Sequence, residues 1–427
     1  MAAPNQDRTS RMDALRCREC GSEYALDARY VCERCFGPLE VAYRHERPVD
    51  VAGLRRRIQG GPQNLWRYAD FLPLEAQPGP STRQSSRFAL PTGCTPLVRA
   101  DRLARHLGLR DVWVKNDAAN PTHSFKDRVV SVALARAREL GFEVMACAST
   151  GNLANSVAAH AAAAGLESYV FIPADLEEQK VLATGVYGTN LVAVRGTYDD
   201  VNRLCAELSA DRPWAFVNVN MRPYYAEGSK TLAFETAEQL GWELPDRVVA
   251  PIASGSLFTK IARGFEEWLG LGLVEGELPV FCGAQARGCS PVAQAFESGQ
   301  DVCRPVRPDT IAKSLAIGNP ADGPYALDLA RRSGGTIEAV SDDEIRAGIA
   351  LLARTTGIFT ETAGGVTTAV LAKLAERGDI DPSERVVVYI TGEGLKTLDA
   401  VRSTFEAVEV DATVESFAQA LEATVAA

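Results

Sequence analysis

The sequence predicts an α/β protein built on parallel sheet, preceded by a small cysteine-rich unit. Three observations support this. Apolar, β-branched runs such as Arg247–Ile252 and Arg385–Ile390 recur with helical stretches between them, the pattern of strands buried on both faces. Cys17, Cys20, Cys32 and Cys35 cluster near the start, while the other six cysteines are scattered. The chain has 427 residues, 46% hydrophobic and 23% charged, enough for two or three domains.

In chain order, the first unit runs to about residue 49 and reads CREC, a short polar strand, then CERCFGPL. Two CxxC pairs on tight turns, eleven residues apart, suit a zinc ribbon in which four thiolates close a tetrahedral shell around a structural Zn²⁺. A redox dithiol or a site that has lost its metal are the alternatives. So short a segment has too little core to fold without a staple. A linker follows, with Gly60-Gly61-Pro62 and the stretch Pro78 to Ser86. Beyond Pro91 strands and helices alternate. The expected strands are Val112–Val114, Glu143–Ala148, Tyr169–Ile172, Leu191–Val194, Trp214–Asn218, Arg247–Ile252, Val280–Gly283 and Arg385–Ile390. Helices are expected over Phe125–Leu140, stopping at Gly141, and over Asn152–Ala164. Ser403 to Ala427 is acidic and reads as a small terminal element.

The net charge of −10 disfavours a nucleic-acid partner. The cysteine unit adds no basic face, since residues 11–57 hold ten arginines against eight acids. The N-terminus lacks the apolar core of a signal peptide, and no apolar run is long enough for a bilayer. The Ala158–Gly165 stretch is short and broken by His160, so it reads as a buried helix. Scattered cysteines in apolar surroundings suit a cytoplasmic protein with reduced thiols. The four histidines, His45, His106, His123 and His160, have no metal-ligand spacing.

In open α/β sheets, ligands bind where strands end and helices begin, and four such turns carry unusual chemistry. In NPTHSFKDR, Lys126 opens a helix, where the dipole disfavours a cation and frees a nucleophilic amine; the alternative is a solvated lysine paired with Asp127. In ASTGN, Ser149, Thr150 and Asn152 offer polar groups at a helix N-terminus, either for an anion or as an ordinary cap. In ASGSL, the small residues Ala253, Ser254, Gly255, Ser256 and Leu257 let backbone N–H groups approach a phosphate, or simply cap a turn. In TGEGLK, from Thr391 to Lys396, two glycines beside a strand end admit a flat ligand or form a flexible loop.

Taken together and in this order, these motifs resemble the threonine synthase family of fold-type II pyridoxal-phosphate (PLP) enzymes, from the CxxC unit to about Val401. PIASGSLFTKI, NVNMRPYYAEGSKT and IFTETAGG look like the subgroup with an N-terminal ribbon. The resemblance implies two open twisted sheets with flanking helices, similar to the tryptophan synthase β fold, plus the ribbon. The expected division is 1–49 for the ribbon, 50–127 and 225–427 for a large PLP domain, and 128–224 for a small domain. It implies that Lys126 carries PLP as an imine, that Asn152 bonds the ring hydroxyl, that Ala253 to Leu257 cradle the phosphate and that Thr391 meets the pyridine nitrogen. The implied reaction converts O-phosphohomoserine and water to threonine and phosphate. Lys115, Ser149, Thr150, Asn155 and Arg222 are the expected substrate contacts, and a homodimer is the expected assembly. A related β-replacement or dehydratase activity, or a ribbon-bearing binding protein on an inactive scaffold, are the alternatives. The chain departs from many relatives in having His123 in place of Gly and Leu153 in place of Thr.

Overall fold

The computed structural model describes residues 10–45, 50–75, 90–149, 151–176, 178–196, 198–402 and 405–426. The expected stretch Pro78 to Ser86 and Thr150 lie outside them. The first sheet is antiparallel, with β1 (Ser10–Cys17) between β2 (Glu23–Tyr24) and β3 (Leu39–His45). It is the hairpin that brings the two CxxC turns together.

Two further sheets follow. Strands β4 (Leu97–Arg99), β5 (Asp111–Asn116), β10 (Arg247–Pro251), β11 (Val280–Ala286), β12 (Ile337–Val340) and β13 (Arg385–Ile390) form one of order β12-β11-β10-β13-β5-β4. All its pairs are parallel except that of β4 with β5. Strands β6 (Val144–Ala148), β7 (Glu167–Pro173), β8 (Asn190–Val194) and β9 (Ala215–Phe216) form a parallel sheet of order β8-β7-β6-β9. Every strand expected from the apolar runs is found, and helices cover both faces of the large sheet. Val248, Val387 and Tyr389 face one core with Trp268 and Phe234, while Val249, Val386 and Val388 face another with Val366 and Val370. Such alternation in an all-apolar run is what a doubly covered parallel strand requires.

The helix Thr362–Glu376 is apolar nearly all round and lies against β10, β11 and β13. It packs unusually closely on the helix Asp342–Thr356, because a Cβ on Gly348 would sit 2.3 Å from the Gly365 carbonyl oxygen. Gly365 of TAGG is thus an approach surface between helices, while Gly364 makes room for the Thr360 side chain. The segment after residue 50 is not a linker. It forms a helix, Val51–Gln59, and a 3₁₀ segment, Leu65–Phe71, that bury Leu54, Ile58, Leu65, Tyr68 and Phe71. No described helix is long and apolar enough to cross a membrane.

Candidate active site

Lys126 is the first residue of the helix Lys126–Glu139, as expected. Its Nζ donates to Tyr225 Oη at 2.9 Å and lies 4.7 Å from the centroid of the Phe125 ring. It is not paired with Asp127. That carboxylate faces away, accepting from Thr122 N and Oγ1 and from Ser156 Oγ at 2.6 Å, with His160 Nε2 at 3.2 Å. Burial opposes the charge on Asp127, but these donors bring its carboxyl below the usual range. The turn is therefore locked by its aspartate while the lysine looks into the site.

The C-terminal loop is clasped on two sides. Phe125 N donates to Thr391 O at 2.9 Å, Ser124 bridges to Gly392, and Glu361 N donates to Gly392 O at 3.1 Å. Thr391 is buried, and among the described residues nothing bonds its hydroxyl. Asn152 opens the helix Asn152–Ala164, and its Nδ2 donates to both oxygens of Glu361 at 3.1 and 3.0 Å. Lys396 donates to Asn152 Oδ1 at 2.8 Å and Thr122 O at 2.6 Å, which fixes which way the amide points. Burial raises the Glu361 carboxyl, against the Asn152 hydrogen bond and the charges of Lys396 and Lys126. Burial likewise lowers Lys396. Lys126, Asn152, Glu361 and Lys396 thus converge on one cleft.

The turn Ala253–Leu257 leads into the helix Ser256–Leu271, whose N-terminal N–H groups have few partners. Gly255 has φ +97°, and a Cβ there would sit 2.7 Å from the Asp322 carbonyl oxygen, so only glycine fits. Asp322 N in turn donates to Ser254 O at 2.8 Å.

The expected substrate contacts divide. Arg222 opens the short helix that also carries Tyr225, and its Nη2 donates to Asp322 Oδ2 at 2.8 Å. Ser149 Oγ accepts from Gly151 N and Ala154 N, so it acts as a helix cap. Asn155 Oδ1 accepts from Thr184 Oγ1 at 2.7 Å. Lys115 departs from the expectation. It is fully buried, and its ammonium is consumed by Thr95 O, Glu235 and Gln239 at 2.7, 2.6 and 2.9 Å. It belongs to a core ion cluster with Arg128, because no water reaches it and its donors are already partnered. His123 is exposed with φ +61°, a left-handed backbone that glycine adopts without strain, and its carbonyl accepts from Glu393 N. Sequence reasoning assigned no role to Tyr225, Glu361 or Lys396.

The N-terminal cluster is equally compact. The sulfurs of Cys17, Cys20, Cys32 and Cys35 lie within 4.8 Å of one another, with Cys17–Cys35 at 3.4 Å and Cys20–Cys32 at 3.6 Å. A tetrahedron with Zn–S bonds of about 2.3 Å has edges of about 3.8 Å, so the four fit zinc.

The donor set also fits PLP: a helix-head amine for its aldehyde, a glycine-containing turn for its phosphate, an amide and an unengaged hydroxyl for its ring. A family model described as pyridoxal-phosphate dependent enzyme matches residues 89–392, which take in all of these groups. A second, described as NinF protein, matches residues 16–40. The protein class is therefore that of a PLP-dependent enzyme. Threonine synthase of Methanocaldococcus jannaschii is 40% identical over 403 residues, covering 93% of this chain and 96% of the relative. That of Methanosarcina acetivorans is 37% identical over 412 residues, covering 95% and 98%. The chain belongs to the threonine synthase family. Among solved structures, the processed form of threonine deaminase isoform 2 from Solanum lycopersicum aligns with TM-score 0.60 at 20% identity, over 78% of this chain and 96% of that one. Maize serine racemase aligns with TM-score 0.59 at 17% identity, over 77% and 93%. These two show the fold.

Proposed function

We propose that the protein converts O-phospho-L-homoserine and water to L-threonine and inorganic phosphate. The observation that supports this best is the Lys126 amine, held by Tyr225 at a helix head beside Asn152 and Thr391, in a chain matching threonine synthases over nearly its whole length. In this reading Lys126 holds PLP, Asn152 meets its ring hydroxyl, the Ala253–Leu257 turn takes its phosphate and Thr391 faces its pyridine nitrogen. Bound there, PLP supplies an electron sink for the carbon next to the substrate amine. Lys126 Nζ, freed when the substrate amine takes its place, moves protons at the substrate's Cα and Cβ. Tyr225 Oη keeps that amine aimed at them. Cα and Cβ each give up a proton, the phosphate leaves Cγ, and Cγ gains a proton to become the methyl group; water's hydroxyl then ends on Cβ and a proton returns to Cα. Thr391 is a neutral partner that does not enforce a protonated ring. Release of phosphate with formation of threonine by the purified protein tests the assignment, and efficient turnover of serine without turnover of O-phosphohomoserine overturns it.

The substrate's phosphate dianion needs a site apart from the cofactor's. We assign it to Arg222, whose planar fork has donors beyond the one spent on Asp322. A charge-assisted contact contributes about 1.5–3 kcal/mol, so Arg222→Ala should lower kcat/KM for O-phosphohomoserine about ten- to a hundredfold. Any dehydration of serine, which carries no phosphate, should change little. Equal loss of both activities makes Arg222 structural.

The four cysteines are read as holding a structural zinc, with no position left open for water. Elemental analysis of protein prepared without chelator should find one zinc per chain; zinc-free protein of normal fold and activity overturns this. The remaining parts of the reading are the domain division 1–49, 50–127 with 225–427, and 128–224, a homodimeric assembly and a cytoplasmic location. None of the ten cysteines is paired in a disulfide, which suits a reducing compartment.

A further inference from the structure

The ribbon touches the catalytic body at the short helix Arg222–Glu227, and this helix has two working faces. Arg222 and Tyr225, three residues apart, reach Asp322 and the Lys126 amine respectively. Tyr224 and Glu227, on another side, are held by the ribbon. Tyr224 Oη donates to Asp27 O at 2.9 Å, and Tyr43 Oη donates to Glu227 Oε2 at 2.8 Å. Glu227 also takes Lys260 at 2.6 Å and Lys230 at 2.7 Å.

A third contact comes from inside the first CxxC turn. Arg18 follows Cys17 directly, and its N–H donates to Pro38 O at 3.0 Å, so the turn that gathers the sulfurs also orients it. Its guanidinium lies 3.4 Å from the centroid of the Tyr325 ring. From there Nη1 reaches Asp322 Oδ1 at 3.6 Å, while Nε lies 3.7 Å from Glu40. Asp322 gives its other oxygen to Arg222, bonds Ser254 O through its own N–H, and abuts Gly255. Its carboxylate is 8% exposed. One buried carboxylate therefore joins the ribbon, the proposed phosphate-binding arginine and the proposed cofactor turn. Arg18, Glu40, Arg222, Ser256, Lys260 and Asp322 line a small shared pocket there.

We propose that Arg18 is a positioning residue, through which the cysteine ribbon sets the place of Arg222 and the charge balance around it by way of Asp322. The proposal rests on the reading of Arg222 as the substrate-phosphate ligand. Two cations share one carboxylate, so Arg222 is held in one rotamer without being neutralised, and keeps charge for a phosphate dianion. Without Arg18, Asp322 belongs wholly to Arg222 and the attraction for phosphate falls. The ribbon thereby becomes part of the substrate site, although none of its residues touches the substrate.

Steady-state kinetics on the holoenzyme test this. Neighbouring charges that share a partner couple measurably, so Arg18→Ala should raise KM for O-phosphohomoserine about fivefold or more. The kcat, the cofactor absorbance and the zinc content should stay close to those of the parent protein. Inorganic phosphate, titrated calorimetrically into the holoenzyme, should bind more weakly by a similar factor. Arg18→Lys should recover most of the loss, and Arg18→Ala added to Arg222→Ala should cost nothing further. An unchanged KM, an additive double variant, or loss of zinc in both Arg18→Ala and Arg18→Gln overturns the proposal. If Arg222→Ala alone leaves KM unchanged, the reading of Arg222 has failed, and that result is distinct from failure at Arg18.

Discussion

Lys126→Ala is expected to abolish threonine formation and the visible absorbance of the bound cofactor together, with the fold intact. One side chain is asked to hold the cofactor and then to move protons, and proton transfer by a placed base alone contributes about 10²–10⁴-fold. A second amine, Lys396, lies in the same cleft, and rescue by it would be the obvious objection. Its donors are already given to Thr122 O and Asn152 Oδ1. Leaving them would release the Asn152 amide and strand a buried carbonyl. Absorbance spectra and phosphate release on the purified variant settle the matter, and retained turnover sinks the cofactor assignment.

Arg128→Met should cost about 3–5 kcal/mol of stability, because one partner of a buried ion cluster is removed and the others remain. Arg128 is fully buried. It donates to Asp117 at 2.7 and 2.8 Å, to Glu235 at 2.6 and 2.7 Å, and to Thr231 and Thr95 at 2.9 and 3.0 Å. Glu235 is held down at about 2 although burial opposes it, by Arg128 and Lys115. A carboxyl lowered in the folded state stabilises above the ordinary carboxylate range and loses that contribution as pH falls toward 2. Urea unfolding at neutral pH should show the loss in Arg128→Met. The gap between variant and parent should narrow as the solution is acidified through that window. A loss under about 1 kcal/mol at neutral pH, typical of exposed pairs, would contradict the role given to this cluster.

The contrast between Lys126 and Lys115 shows where sequence reading succeeds. Lys126 sits in a local context, a Pro-bounded turn followed by helix periodicity, that its neighbours in the chain make plain. Lys115 ends a strand and looks like a site residue, but its fate is decided by Glu235, 120 positions away. Glu361 and Lys396 escaped for the same reason: what makes them part of the site is Asn152, more than 200 positions away. The central strands were legible because β-branched runs such as Val386–Val388 are buried on both faces. Strands β4 and β12 were not, being short and placed at the sheet's edges. The helix Val51–Gln59 was hidden by Arg55–Arg57 and by the glycines after it, which together look like a spacer while Leu54 and Ile58 are buried.

The pairing of β5 with β13 has a consequence for how the protein comes into being. Val112 lies beside Val386 and Asn116 beside Ile390, so neighbours in the sheet are 274 residues apart in the chain. The β6–β9 sheet, by contrast, is made from one continuous stretch of about 70 residues and can form early. On the ribosome, the lysine turn must wait for nearly the whole chain to emerge before the strand that clasps it exists. A nascent chain arrested before Arg385 would therefore display Lys126 with the Thr391 side of its clasp missing, and the cofactor would meet a finished pocket only at the end of translation.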